Sequence, residues 1–304
     1  MVTATASFYD AGMAARLVRG AAAAYGDDGE MAAWARAQGC DACEVVRDAG
    51  TDTLGFVAAA AERAFVVFRG TRDLRNWITD LDCRRVKMEL RIADCGLRIE
   101  VHEGFQRALA GVWDSLLSIL ESLAPGKRDV FFCGHSLGGA LAMLAAARWE
   151  SGPGRAALPR SPGPIPEAAQ QRGPTIWLYT FGQPRVGNAA WRKCYDAALR
   201  PRSFRIVHAG DVVARVPWLL GMFRHAGTEI FYDALGVNHV DWPAWAKAPG
   251  DAAGLFKEWR HGRLALLADH HVGAYEALLE AEGEMESIAR RSSSAATSEM
   301  ENGI

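Results

Sequence analysis

Four short runs of almost unbroken apolar residues punctuate the chain: AFVVFRG at 64–70, DVFFCGH at 129–135, TIWLYTFG at 175–182 and SFRIVHAGD at 203–211. Each has the length of a strand and none alternates with polar residues, the pattern of strands buried on both faces by helices. Between them the spacing changes. EGFQRALAGVWDSLLSILESLA at 103–124 and LGGALAMLAAARWE at 137–150 repeat their apolar residues at helical intervals. Near the start, Asp10 precedes an alanine-rich periodic segment where an N-cap belongs, so that stretch reads as an amphipathic helix. Short strands alternating with longer helices predict an α/β domain with a mostly parallel central sheet flanked by helices.

Three stretches break the pattern. SGPGRAALPRSPGPIPEAAQQRGP at 151–174 is rich in Pro, Gly and Arg without periodicity, and reads as a surface insert between a helix and the next strand. The Trp-rich stretch from Pro217 to Arg263 reads as helices and loops forming one wall of a site. RRSSSAATSEMENGI at 290–304 has too little apolar content to pack and is expected to be disordered. The organisation expected is one domain over 1–289, carrying the insert, and a tail over 290–304.

Composition narrows the function. With 304 residues, 50% of them hydrophobic, the chain can bury a core suited to one large α/β domain. A net charge of -2 gives no basic field for nucleic acid. No stretch approaches the ~18 consecutive apolar residues of a membrane span. The N-terminal segment lacks the form of a secretory signal, so a cytoplasmic location is expected, and with it reduced thiols at Cys40, Cys43, Cys83, Cys95, Cys133 and Cys194. Cys40 and Cys43 form a CxxC with no second pair or nearby His to complete a zinc site.

The chemistry centres on Gly134-His135-Ser136-Leu137-Gly138. A serine flanked by glycines, after a strand and before a helix, has the spacing of a nucleophile held on a sharp turn, where only small neighbours let strand and helix approach. Ser136 would then stand at the carboxyl end of the sheet, with the backbone N–H of Leu137 free to bind an oxyanion. A helix start that merely carries Gly and Ser is the alternative, and the flanking strand and helix patterns count against it. A serine nucleophile needs a base, and the base an orienting carboxylate. Asp211 ends the last strand candidate and is the acid in position. His225, His239, His261, His270 and His271 follow it as candidate bases. His270 and His271 precede a short helical pattern, VGAYEALLEAEGEM, and composition does not separate them.

These segments together resemble the class 3, fungal-type lipases of the α/β-hydrolase superfamily, from about Phe65 to Tyr275. GHSLGGALA (134–142) is similar to that family's serine turn. FRGT (68–71) resembles its segment bearing the other oxyanion donor, which implies Thr71. RNWITDLD (75–82) is like the start of its lid, and VHEGFQRAL (101–109) like the helix that follows. TFGQPRVGN (180–188) is similar to a loop beside the site. HAGDVVARVP (208–217) resembles the acid-bearing stretch and implies Asp211, with Val212 and Ala214 where prolines are usual. ADHHVGAY (268–275) resembles the base segment, and the spacing to its tyrosine favours His270 over His271.

The resemblance implies hydrolysis of lipid acyl esters through Ser136, Asp211 and His270, with Thr71 and Leu137 forming the oxyanion hole and no metal or organic cofactor required. Trp77, Ile78 and Leu81 read either as the apolar face of a lid or as ordinary core. The partner expected is a lipid or small acyl ester, with transient contact at a lipid interface. Arg84, Arg85, Lys87 and Arg91 read either as steering groups for that interface or as a solvated face. Phospholipase A1 activity, monoacylglycerol-type activity and a non-catalytic scaffold are the alternative readings, and the oligomeric state stays open.

Overall fold

The computed structural model describes residues 8–72, 84–88, 98–123, 129–152, 175–217, 222–243 and 269–283. The expected lid residues Trp77, Ile78 and Leu81, the insert from 153 to 174 and the tail lie outside them. An eight-stranded sheet organises the described residues. Strands β1 (Ala42–Asp48), β2 (Thr53–Ala59) and β3 (Arg63–Phe68) form an antiparallel meander. A separate antiparallel pair joins β4 (Arg85–Lys87) to β5 (Glu100–His102). From β3 the main sheet continues in parallel through β6 (Asp129–His135), β7 (Ile176–Phe181), β8 (Ser203–His208) and β9 (Thr228–Tyr232). Strand β10 (Asn238–Val240) returns antiparallel at the far edge.

The continuous apolar runs have a simple origin. Along β3, β6 and β7 alternate residues point to opposite faces, and both faces are covered. Val66, Phe68, Val130, Phe132, Ile176 and Leu178 meet the helices α3 (Glu103–Leu123), α4 (Leu137–Glu150) and α5 (Ala189–Leu199). Phe65, Val67, Phe131, Cys133, Tyr179 and Phe181 meet α1 (Ala11–Ala23), α2 (Asp28–Ala37) and a C-terminal helix, α6, over 272–283. Asp10 caps α1 by accepting from the Met13 N–H at 2.9 Å. Helix α4 is buried from Gly138 through Ala147, and its alanines let it lie close to sheet and α3 at once.

Two expectations need correction. The reading of 217–263 as helices and loops misses β9 and β10 in its described part. Thr228 to Tyr232 extend the parallel sheet because Phe204 to His208 offer an open edge beside them. The reading of all cysteines as reduced fails at Cys194, which is held in a disulfide whose other half lies outside the described residues. Cys40, Cys43 and Cys133 stand outside any disulfide. No helix among the described residues is long and apolar enough to cross a membrane.

Register then places the site. Phe68 pairs with Gly134, His135 with Phe181, and Phe181 with Ile206, so the parallel strands end level with one another. Arg69 to Thr71, Ser136, Gly182 and Asp211 therefore all emerge at the same carboxyl edge.

Candidate active site

Ser136 sits between β6 and α4 with φ 58° and ψ -129°, a conformation that costs a non-glycine residue roughly 1–3 kcal/mol. The surroundings enforce it. The Ser136 N–H donates to the Phe181 carbonyl at 2.8 Å, and the Ser136 carbonyl accepts from Gly139 at 3.0 Å. A Cβ on Gly134 would fall 2.4 Å from the Gly138 backbone, and one on Gly138 would fall 2.3 Å from the Phe68 carbonyl oxygen. Strand, turn and helix are thus pressed together through glycine, and β3 ends against the first turn of α4. Leu137 opens that helix, where backbone N–H groups have no intrahelical acceptor.

The exit of β3 carries Thr71, half-buried beside this turn. Arg69 anchors the segment. Its guanidinium is buried and donates to the Asp52 carboxylate at 2.8 Å and the Asp52 carbonyl at 2.9 Å. A Cβ on Gly70 would lie 3.2 Å from the Ser136 Cβ, so this segment runs directly alongside the serine.

His270 and Asp211 meet. His270 Nδ1 and Asp211 Oδ2 are 2.8 Å apart, with both side chains almost wholly buried. His271 is exposed and accepts from the Gly273 N–H at 3.2 Å, away from the acid. Asp211 is held from every side. Oδ1 accepts from the N–H groups of Val213 at 2.7 Å and Ala214 at 3.2 Å, while Oδ2 also accepts from the Tyr275 hydroxyl at 2.5 Å. Burial alone would raise its pKa. The electrostatic attraction of the His270 ring, with the hydrogen bonds from His270 and Tyr275, outweighs burial and holds the carboxyl below its usual value. Burial and the neighbouring Asp211 charge push the Tyr275 phenol up, so it stays a neutral donor.

Gly182 explains part of the loop after β7. Its φ is +61°, and a Cβ there would lie 2.5 Å from Asp211 Oδ2 and 2.9 Å from the His270 ring. No side chain fits between the loop and the pair. Ser136 Oγ and His270 Nε2 are both buried and make no hydrogen bond, so the two atoms that general-base chemistry joins are the ones left unengaged.

The structure thus brings Ser136, Leu137 and Thr71 to one edge and pairs Asp211 with His270. His225 is elsewhere, its Nε2 on the Ala214 carbonyl at 2.7 Å, and His239 lies against Asp233 at 3.0 Å. His261 lies outside the described residues. Sequence reasoning used Tyr275 only as a spacing marker, although it bonds the acid directly. It also passed over His135 and Tyr25, which reach the base from the α1–α2 side. The signal for His135 was present: at an odd-numbered position of β6 it must face the same way as Phe131 and Cys133.

An open, mostly parallel sheet that presents a serine on a glycine-flanked turn, with a buried His–Asp pair at the same edge, defines an α/β-hydrolase. A family model described as Lipase (class 3) matches residues 65–220, and the chain belongs to that family. It is 32% identical over 175 residues to Lipase ZK262.3 of Caenorhabditis elegans, covering 55% of this chain and 42% of that one. It is 29% identical over 176 residues to a secreted mono- and diacylglycerol lipase of Fusarium solani, covering 57% and 45%. The chain therefore spans less than half the length of these two relatives. Among solved structures, the lipase of Rhizopus microsporus var. chinensis superposes with a TM-score of 0.57 at 26% identity over 76% of each chain. A Rhizomucor miehei lipase–propeptide complex gives 0.59 at 25% identity, covering 76% of this chain and 69% of that one.

Proposed function

We propose that this protein hydrolyses acyl esters of lipids through Ser136, His270 and Asp211. The observation that carries the reading is the buried His270–Asp211 pair at the edge where Ser136 is strained into the open turn. His270 Nε2 takes the proton from Ser136 Oγ as the oxygen attacks the ester carbonyl. Asp211 holds the Nδ1–H tautomer and stabilises the imidazolium. The backbone N–H groups of Leu137 and Thr71 receive the oxyanion, each such donor contributing on the order of 3 kcal/mol to the transition state. Collapse expels the alcohol, which takes its proton from His270. Water, activated by the same imidazole, then releases the acid and restores the serine.

A lipid substrate is supported by membership of the family and by relatives named as mono- and diacylglycerol lipases. Contact with a lipid interface follows from that substrate. The test is hydrolysis of p-nitrophenyl esters from short to long acyl chains, alongside emulsified mono-, di- and triacylglycerols. Turnover by the wild type and loss of it in Ser136→Ala is the expected result. A folded wild type inert on all of them would leave only a hydrolase-shaped scaffold.

A further inference from the structure

His135 is the side chain inside the serine turn that the mechanism leaves idle, yet it is 4% exposed and fully engaged. Its Nε2 lies 2.6 Å from the carbonyl oxygen of His270, and its Nδ1 lies 2.8 Å from the Tyr25 hydroxyl. The roles follow without ambiguity. A carbonyl only accepts, so Nε2 carries the proton. Burial, reinforced by the neighbouring His270 ring, pushes the His135 pKa down to about 3, so the ring is neutral and Nδ1 is an acceptor. The Tyr25 hydroxyl is then the donor, and its burial raises its own pKa and keeps that proton in place.

Tyr25 also touches the opposite side of the site. A Cβ on Gly70 would fall 2.1 Å from the Tyr25 hydroxyl, so the phenol packs against the backbone just before Thr71. The Tyr25 carbonyl accepts from Arg72 at 3.2 Å. One residue between α1 and α2, outside the segment matched by the family model, therefore contacts the oxyanion segment directly and the base through a single imidazole. The rings of His135 and His270 lie 4.6 Å apart at a tilt of 36°, so the base ring also packs directly against the imidazole.

We propose that Tyr25 and His135 are positioning residues that lock the backbone of His270 and the Gly70–Thr71 segment into one frame around Ser136. The inference rests on the hydrolytic reading of the site. Its consequence is that base and oxyanion donors move together when the α1–α2 helices move, and loosening Tyr25 disturbs both.

The test compares wild type with Tyr25→Phe, His135→Leu, His135→Gln and the Tyr25→Phe/His135→Leu double variant. Steady-state kinetics on a soluble ester and thermal unfolding are measured on each. In Tyr25→Phe and His135→Leu kcat falls on the order of tenfold with KM little changed, since a slightly misplaced base loses transition-state but not ground-state contacts. Glutamine can donate to the His270 carbonyl and accept from Tyr25, so His135→Gln recovers most of what leucine loses. The double variant loses no more than His135→Leu alone. Lowered thermal stability with unchanged kcat, multiplying losses or failure of glutamine to recover activity would each overturn the proposal.

A second readout does not depend on turnover. The proton shared by His270 Nδ1 and Asp211 gives a low-field proton resonance, absent in Asp211→Asn. The proposal expects it sharp in wild type and His135→Gln and broadened or shifted in Tyr25→Phe and His135→Leu. An unchanged signal in those two variants overturns it, even if the wild type proves inert on esters and the hydrolytic reading falls by itself.

Discussion

At Asp211 four donors converge on one buried carboxylate: two backbone N–H groups, the Tyr275 hydroxyl and the His270 ring. Such a group does its work as a fixed negative charge beside the imidazole, so Asp211→Asn should lower kcat by about a thousandfold or more, with folding intact, in single-turnover and steady-state assays. His135 makes a different prediction, about stability. Its proton is taken up near pH 6.5 in the unfolded chain but only near about 3 in the fold. Between those values the unfolded state binds one more proton, so this residue makes the fold less stable as pH falls. The slope is about 1.4 kcal/mol per pH unit. Asp211 acts further down: its lowered pKa contributes stability above the ordinary carboxylate range that is lost as pH falls through its folded value. Urea unfolding between pH 7 and 5 should show a shallower acid loss in His135→Gln than in wild type. Equal slopes would mean the imidazole protonates inside the fold.

Glycine does steric work at two junctions between elements. Where α4 meets the end of β3, Gly138→Ala sets a methyl 2.3 Å from a carbonyl oxygen that belongs to the sheet and cannot retreat. We expect loss of soluble protein or several kcal/mol of stability, seen as a collapsed urea midpoint. At Gly182 the clash falls on Asp211 and His270 instead, so Gly182→Ala should fold with a modest loss of stability but lose at least tenfold in kcat. The same contrast shows what could be read along the chain. Strands β3, β6, β7 and β8 were legible because helices cover both faces and leave nothing but apolar residues. Strand β1 was not, since in ACEVVRD only Val46 is buried. Strand β2 is fully buried, but in TLGFVAA the strand formers Thr53, Phe56 and Val57 are interrupted by Gly55 and followed by two alanines, which blurs the pattern. Ser136 and Asp211 announced themselves by local spacing at the ends of strands. His270 was separated from His271 only by the spacing to Tyr275 that the family resemblance implies, because from the residues alone the choice depends on where α6 sends Tyr275, a property of packing. Tyr25 was out of reach for the same reason: no local pattern links it to residues more than a hundred positions away.

Among the described residues two helical covers lie over one sheet, and only one of them lies mainly within the family match. Helices α3, α4 and α5 pack against one face, while α1, α2 and α6 close the other with Met13, Leu17, Met31 and Trp34. Removing residues 1–40 would expose that second face, including Phe65, Val67 and Cys133, and take Tyr25 with it. A cooperative thermal transition should disappear in the truncated chain. Covalent cross-linking also belongs to this scale. Alkylation of the unfolded but unreduced protein should label Cys40, Cys43 and Cys133 and spare Cys194, as read by peptide mapping. A Cys194 that alkylates would restore the expectation of reduced thiols.

Ser136, held on its strained turn, acts as a nucleophile whose proton is taken by His270. An alkyl p-nitrophenyl phosphonate tests it most directly, because it reacts once with an activated serine and stops. We expect release of one p-nitrophenolate per protein molecule, an adduct mapped to Ser136, no release from Ser136→Ala and release slowed at least a hundredfold in His270→Gln. A folded wild type that releases none, or a Ser136→Ala variant that releases as much, would contradict it.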